Sequence, residues 1–424
     1  MSSQAPGAWG NRVLHSEPQQ EIAGQELPDK GTVCIITEAR AFGGTEIHTL
    51  ELIGALLERR YRVELVSCRH RHFDERLAQR GWLDRVEIIH IDETVGWSSD
   101  ADILGRPWRR ILNRVRAGTL IFPKPDHEMG SIGFLRACRR RFDRVIVIEH
   151  LEAQPLPRKG SRRILGVVPV GIGLWWYRMR WVSRWRARYP DRVIAVSDKV
   201  KSRLTQDWNY PPGRIVVIRN GVRWQEFTRN RQEGMEFRRR HEIPEDAFVF
   251  GMITRLSAPK RVDVALQAMR LLVRESPSRP VCLVIAGRGD EEDRLKALAR
   301  ELDIEAYVRF VGFLQRPHAA LSSYDAILFT GLREGLPLGL LEGMAAGCIP
   351  IVTRISGMPE AVDSPGVGRV VEPGSVDDLH RAMRDILALD QAQIAAMREN
   401  VTRRIREHFD LAECHERILR TCGL

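Results

Sequence analysis

Ala326-Ile-Leu-Phe-Thr-Gly-Leu-Arg-Glu-Gly-Leu-Pro-Leu-Gly-Leu-Leu-Glu342 decides the fold. Ala326–Phe329 is a short apolar run that fits a buried strand, and Pro337 suits the opening of a helix. Glu334 then falls in the loop at the strand's carboxyl end, and Glu342 within the first turns of the helix. A carboxylate at that mouth can receive sugar hydroxyls. A second, one or two turns into the helix, can accept both hydroxyls of a ribose. Gly335 and Gly339 let backbone approach a ligand, and a helix N-terminus favours phosphate. The plainer account has one glutamate capping the helix and the other on its solvated face, and the stretch alone leaves both open.

Strand-then-helix signals of the same kind extend in both directions. Phe248–Ile253, Val281–Ala286 and Val308–Val311 precede the quoted stretch as apolar, β-branched runs, and Ile349–Val352 follows it. Helical patterns lie between them, as at Arg261–Arg274 and Asp290–Leu302, and continue beyond Asp377. An earlier series repeats the arrangement. It runs Thr32–Thr37, a helix from about Thr45 to Arg59, then Arg62–Ser67, Val86–Ile91, Leu120–Phe122, Arg144–Ile148 and Arg192–Val196. Such alternation predicts parallel sheets covered on both faces. The expected class is α/β: two doubly wound domains with a ligand site between the carboxyl ends of their strands. A length of 424 residues agrees with two or three domains at about 150 residues each.

Two further clusters fall in strand-to-helix loops. Thr254-Arg-Leu-Ser-Ala-Pro-Lys-Arg261 places Arg255 and Lys260 after a strand, where two cations can grip a diphosphate and stabilise its charge as it leaves. Charge alone would equally describe two solvated side chains. Phe42-Gly-Gly-Thr-Glu46 follows the first strand, and Gly43 and Gly44 before a helix make a nest for anions or hydroxyls. Glycine pairs also serve simply as turns. Neither this turn nor Gly287-Arg-Gly289 has the spacing of a dinucleotide fingerprint, which argues against a dehydrogenase.

Taken together and in order, these elements resemble the retaining GT-B glycosyltransferases of family 4. The resemblance runs from about Gly31 to Asp385. It also takes in Ala195-Val-Ser-Asp198, Ile218-Arg-Asn-Gly-Val222, Val311-Gly312, Gly347-Cys-Ile-Pro350 and Gly357-Met-Pro-Glu360. It implies a GT-B fold of two Rossmann-like lobes facing each other across a cleft, and transfer from a nucleotide-sugar donor with retained configuration. Arg255 and Lys260 would bind the pyrophosphate, Glu342 the ribose, and Glu334 the donor sugar near the reacting carbon. His150, at the end of Arg144–Ile148, would reach that sugar from the first lobe; without the resemblance it would read as a structural histidine. Gly312, Phe313 and Leu314 would face the nucleobase. Gly43, Gly44, Gly287, Gly335, Leu336, Pro337 and Leu338 would line the donor. The chain departs from the family where Thr330-Gly-Leu-Arg333 stands in place of the common Pro-Ser, and Gly335-Leu-Pro337 in place of an aromatic and glycine.

The resulting division is a loose tail over 1–29, an acceptor lobe over 30–222, a linker over 223–246 and a nucleotide-sugar lobe over 247–400. A final helix over 401–424 is expected to pack back on the first lobe. The tail, rich in Gln, Glu, Pro and Ser, has no apolar signal core. Seven scattered cysteines without metal-ligand or redox spacing suit a reducing cytosol.

Net charge is +11 and the pI about 9.7, which points to an anionic partner. Between Arg158 and Arg188 there are nine basic residues, no acidic one, and Trp175, Trp176, Trp181 and Trp185. Within it Ile164–Tyr177 is too short to span a bilayer, so an interfacial insertion on an anionic membrane is expected, bringing a lipid-linked acceptor to the cleft. An ordinary helical insertion with solvated arginines competes with it. Nucleic acid is the rival partner from charge alone, but no helix-turn-helix, zinc-finger or RNA-recognition pattern appears. Asp290-Glu-Glu-Asp293 suits a helix start, where acidic residues offset the dipole, better than a metal site. Arg255 and Lys260 can neutralise phosphate in place of a divalent ion, so no metal or cofactor is expected, and the resemblance implies a UDP- or GDP-sugar donor and a glycan or lipid-linked acceptor. Within enzymes, a GT-B sugar-nucleotide epimerase or a phosphorylase is the alternative.

Overall fold

The computed structural model describes residues 30–37, 43–68, 71–91, 105–124, 130–151 and 181–424. The tail over 1–29 and most of the basic tryptophan-rich stretch, 158–180, lie outside them. The first sheet contains β1 (Thr32–Thr37), β2 (Arg62–Cys68), β3 (Val86–Ile91), β4 (Thr119–Lys124), β5 (Arg144–Glu149), β6 (Arg192–Ala195) and β7 (Ile215–Val217). The second contains β8 (Phe248–Ile253), β9 (Val281–Ala286), β10 (Val308–Gly312), β11 (Ala326–Phe329), β12 (Ile349–Thr353) and β13 (Arg369–Val371). Their orders are β3-β2-β1-β4-β5-β6-β7 and β10-β9-β8-β11-β12-β13. Pairings within both sheets are parallel, as at Ile35↔Leu65 and Ala326↔Phe250. Each sheet reverses its winding once, between β1 and β4 and between β8 and β11. Those reversals leave crevices at the carboxyl ends, where ligands of doubly wound sheets bind.

The central strands are mostly apolar because helices cover both faces. β9, for example, is buried from end to end. Two strands differ from their sequence signal for a physical reason. Pro123 and Lys124 look like a strand's end, yet β4 runs through both, with Lys124 in register with Glu149 of β5. The Lys124 Nζ to Glu149 Oε1 distance is 2.8 Å and both side chains are buried, so each neutralises the other inside the sheet. β7 is a three-residue strand, too short to register as a pattern.

The charged stretch over 223–246 contains the helix Arg231–Arg240. Arginine anchors bind it to the second lobe: Arg229 donates to the carbonyls of Ser322 and Ala346, and Arg238 to that of Ser323. The last helix, Leu411–Cys422, lies against the first sheet. Arg417 donates to Val217 O at 2.8 Å, and Arg144 to Cys422 O at 2.7 Å. All seven cysteines are free and buried. Among the described residues no helix is long and apolar enough to cross a membrane.

Candidate active site

The winding reversal of the second sheet brings the loops after β8 and β11 side by side. Thr330 Oγ1 donates to Lys260 O at 2.8 Å, and Leu332 N–H to Pro259 O at 2.8 Å. Thr353 Oγ1 ties Gly331 O to β12 at 2.8 Å. The loops are thereby held so that Lys260 Nζ donates to Glu334 Oε1 at 2.5 Å. Glu334 is only 7% exposed. Burial pushes its carboxyl up, and the Lys260 ammonium opposes that shift. Arg255, expected to share the work of Lys260, is exposed on the same loop and is not part of this pair.

The helix Leu338–Ala345 follows at once, its first turn closed by Pro337 O, which accepts from the amides of Leu340 and Leu341. The amides of Leu338 and Gly339 head this helix beside Glu334, and a helix start is a positive pole. Glu342 lies on it half-buried. Its carboxyl is pushed up to about 7, first by burial and then by the Glu226 carboxylate.

The neighbouring strand ends are laced by backbone. Thr254 N–H donates to Ala286 O at 3.0 Å, and Gly287 N–H to Gly312 O at 2.8 Å. Gly287 has φ +145, and a Cβ there would lie 1.8 Å from Thr254 O, so only glycine permits this approach. Phe313, just past β10, is 63% exposed, while Leu314 rests partly buried on the core. The acidic run after Gly289 is occupied with helix entry, Glu291 pairing with Arg294 and Glu292 with Lys296.

The first lobe closes the other side. A Cβ on Gly335 would lie 1.7 Å from His150 O, so the loop that carries Glu334 rests directly on the end of β5. Asn220 Nδ2 donates to Leu336 O at 2.8 Å and Gly357 N–H to Gly335 O at 2.9 Å, fixing this seam. The buried His150 ring is held well below the usual imidazole range by burial, with His48 adding to it, and is therefore neutral. Gly43 N–H donates to Glu46 Oε2 at 2.9 Å. The glycine turn thus presents a buried carboxylate beside its amides, which suits a hydroxyl better than an anion.

Glu334, Lys260, Leu336, Pro337 and His150 are therefore brought to one seam, with Glu342 a turn away; Gly287 and Gly312 shape the adjoining strand ends. The residues that sequence reasoning passed over are His48, whose ring approaches His150, His415, whose ring approaches His48, and Asn220 as a clasp. The available signal was a histidine among the buried residues at the start of the helix Gly44–Glu58.

Comparison with known proteins assigns both halves of the chain. Residues 42–225 match the family described as Glycosyltransferase Family 4, and residues 235–408 that described as Glycosyl transferases group 1. An uncharacterized glycosyltransferase of Methanocaldococcus jannaschii is 29% identical over 192 residues, 44% of this chain and 48% of that protein. Glycogen synthase of Mycobacterium tuberculosis is 31% identical over 229 residues, 52% of each. The matched stretch thus spans about half the length of these curated relatives. A glycosyltransferase from Rickettsia africae superposes with a TM-score of 0.72 at 16% identity, over 93% of this chain and 98% of that one. The Anabaena protein HepE in complex with UDP-glucose gives 0.72 at 17%, over 92% and 99%. These likenesses show the two-lobed GT-B fold.

Proposed function

Because the chain belongs to glycosyltransferase family 4 and adopts the GT-B fold, we propose that it transfers a sugar from a nucleotide-sugar donor to a hydroxyl of a glycan or lipid-linked acceptor, with retained anomeric configuration. The observation that carries the reading is the Lys260–Glu334 pair. It sets a cation and a carboxylate at a helix start, at the winding reversal of the second sheet, against the backbone of His150.

In this reading Lys260, with Arg255 reaching in from the loop, neutralises the donor diphosphate. Leu338 and Gly339 amides add the field of the helix start. Glu342 holds the ribose, Phe313 and its neighbours meet the base, and Glu334 and His150 contact the sugar. The bond from the anomeric carbon to the diphosphate oxygen breaks as the acceptor oxygen bonds to that carbon on the same face. The acceptor's proton passes to the departing diphosphate. The protein contributes positioning and electrostatic stabilisation, each able to supply several kcal/mol. A thermal-shift panel of UDP, GDP, ADP and TDP tests it. A matched nucleotide at about 100 times its Kd raises stability by roughly 2.7 kcal/mol. Absence of a shift with every diphosphate at millimolar concentration would sink the proposal.

We also propose that the first lobe docks on an anionic membrane at its cytoplasmic face. Trp181 is 55% and Trp185 37% exposed, and the Arg188 guanidinium lies 4.7 Å from the Trp185 ring centre. Aromatic and cationic groups together suit a headgroup boundary. Flotation with anionic liposomes, weakened by salt and by Trp181→Ser with Trp185→Ser, is the expected outcome. Protein that stays unbound at low salt refutes the placement.

A further inference from the structure

Three imidazoles meet at the first lobe's half of the seam. His48, on the helix Gly44–Glu58, approaches His150 edge to face, with ring centroids 4.6 Å apart and planes at 71°. His415, on Leu411–Cys422, stands behind His48 at 6.5 Å and 74°. All three are buried. His48 Nδ1, His150 Nε2 and His415 Nε2 are buried without a hydrogen-bond partner. A histidine ring normally takes its orientation from a hydrogen bond at one nitrogen. Where that nitrogen has none, only packing can hold the ring, because the terminal torsion is broad.

The backbone of His150 is already fixed from both lobes. Its N–H donates to Lys124 O at 3.4 Å, and Gly335 lies against its carbonyl. The freedom that remains is rotation of the ring, and the His48 ring stands in its way. His48 is in turn placed by the start of its helix, which the Gly43–Glu46 hydrogen bond secures. Resting on the reading of His150 as the first lobe's contact to the donor sugar, we infer that His48 is the positioning residue that orients the His150 ring, with His415 backing it from the end of the chain. The glycine turn, the first helix and the C-terminal helix thereby act on the cleft through one stack of neutral rings.

The test uses the full chain, with UDP-glucose as donor probe and long-range proton–nitrogen spectra of the imidazoles as a readout independent of turnover. His48→Ala should split or broaden the His150 ring resonances and lower the kcat of UDP release at least tenfold, with KM and UDP affinity within twofold. His48→Phe, which keeps a ring edge, should restore a single set of resonances and most of kcat. In a His150→Ala background, His48→Ala should cost less than a further twofold. Unchanged His150 resonances in His48→Ala, or an undiminished loss in the His150→Ala background, overturns the inference. If His48→Ala does not fold, His415→Ala reads the same link one ring further back, with a smaller change in the same direction. Full turnover by His150→Ala would instead refute the donor-sugar reading, and the resonances would still decide whether His48 orients that ring.

Discussion

The two sheets share a strand order over six strands and differ in what they set at their carboxyl edges. The second edge holds charge: Lys260 against Glu334, and Glu342 on the helix beyond. The first edge holds the neutral rings of His48 and His150, buried and backed by His415, together with a Lys124–Glu149 pair whose charges cancel inside the sheet. The same architecture thus makes two unlike half-sites. Charge at one suits a diphosphate and a ribose. Neutral donors and acceptors at the other suit hydroxyls that must be oriented without being ionised. Burial does opposite things to the two, raising carboxyls and lowering imidazoles, and in both it favours the uncharged form.

The sharpest way to break this contrast is to remove the charge. Lys260→Ala should cost about 2–4 kcal/mol of transition-state stabilisation, the size expected for a positioned electrostatic group. It should also weaken nucleoside-diphosphate binding, whereas His150→Ala should spare that binding. Kinetics and calorimetry on both variants check it. Equal losses of diphosphate affinity would mean that the half-sites are not divided as described.

A smaller effect is expected at Glu342, and its sign follows from linkage. The folded carboxyl titrates near 7 and the unfolded one near 4.5. The protonated form therefore favours folding, fully below the unfolded value, and that contribution is lost as pH rises through 7. Glu342→Gln stays neutral throughout. Its melting temperature should match the parent near pH 4 and exceed it by pH 8, by an amount equivalent to roughly 1–3 kcal/mol after allowance for partial exposure. Donor affinity should fall in the same variant. A constant gap between the two melting curves from pH 4 to 8 would show that Glu342 is not the strained carboxylate.

The first lobe should respond in the opposite direction. Burial lowers His415 to about 3 and His48 to about 4, from an ordinary value of 6.5. The unfolded chain then binds protons that the folded chain refuses, so stability present above 6.5 is lost as pH falls towards those values. At pH 5 each ring accounts for on the order of 1–2 kcal/mol. His415→Gln should flatten this acid limb in denaturant titrations and leave the limb governed by Glu342 unchanged. An acid limb as steep as the parent's would refute it.

How far these features were legible depends on where their partners lie. The segment from Ala326 to Glu342 could be read directly, because strand, loop and helix are adjacent in sequence and each is signalled by its own residues. Lys124 could not, since a lysine inside a strand makes sense only once Glu149 stands beside it. Arg231–Arg240 looked like linker for the same reason: the carbonyls that Arg229 and Arg238 bind belong to residues 322, 323 and 346. His415 carries no local mark at all.

The sequence by itself determined the strands, the helices that alternate with them, and which loops carry carboxylates, cations and glycines. Continuous apolar runs bury well only as central parallel strands, and that preference is local. The tertiary structure alone decided that Lys260 faces Glu334 while Arg255 stays exposed, that Gly335 rests on His150, and that the last helix returns His415 to His48. Those meetings depend on which strands are neighbours and on how the two lobes abut. They are set by packing between segments up to hundreds of residues apart, and no local propensity encodes it.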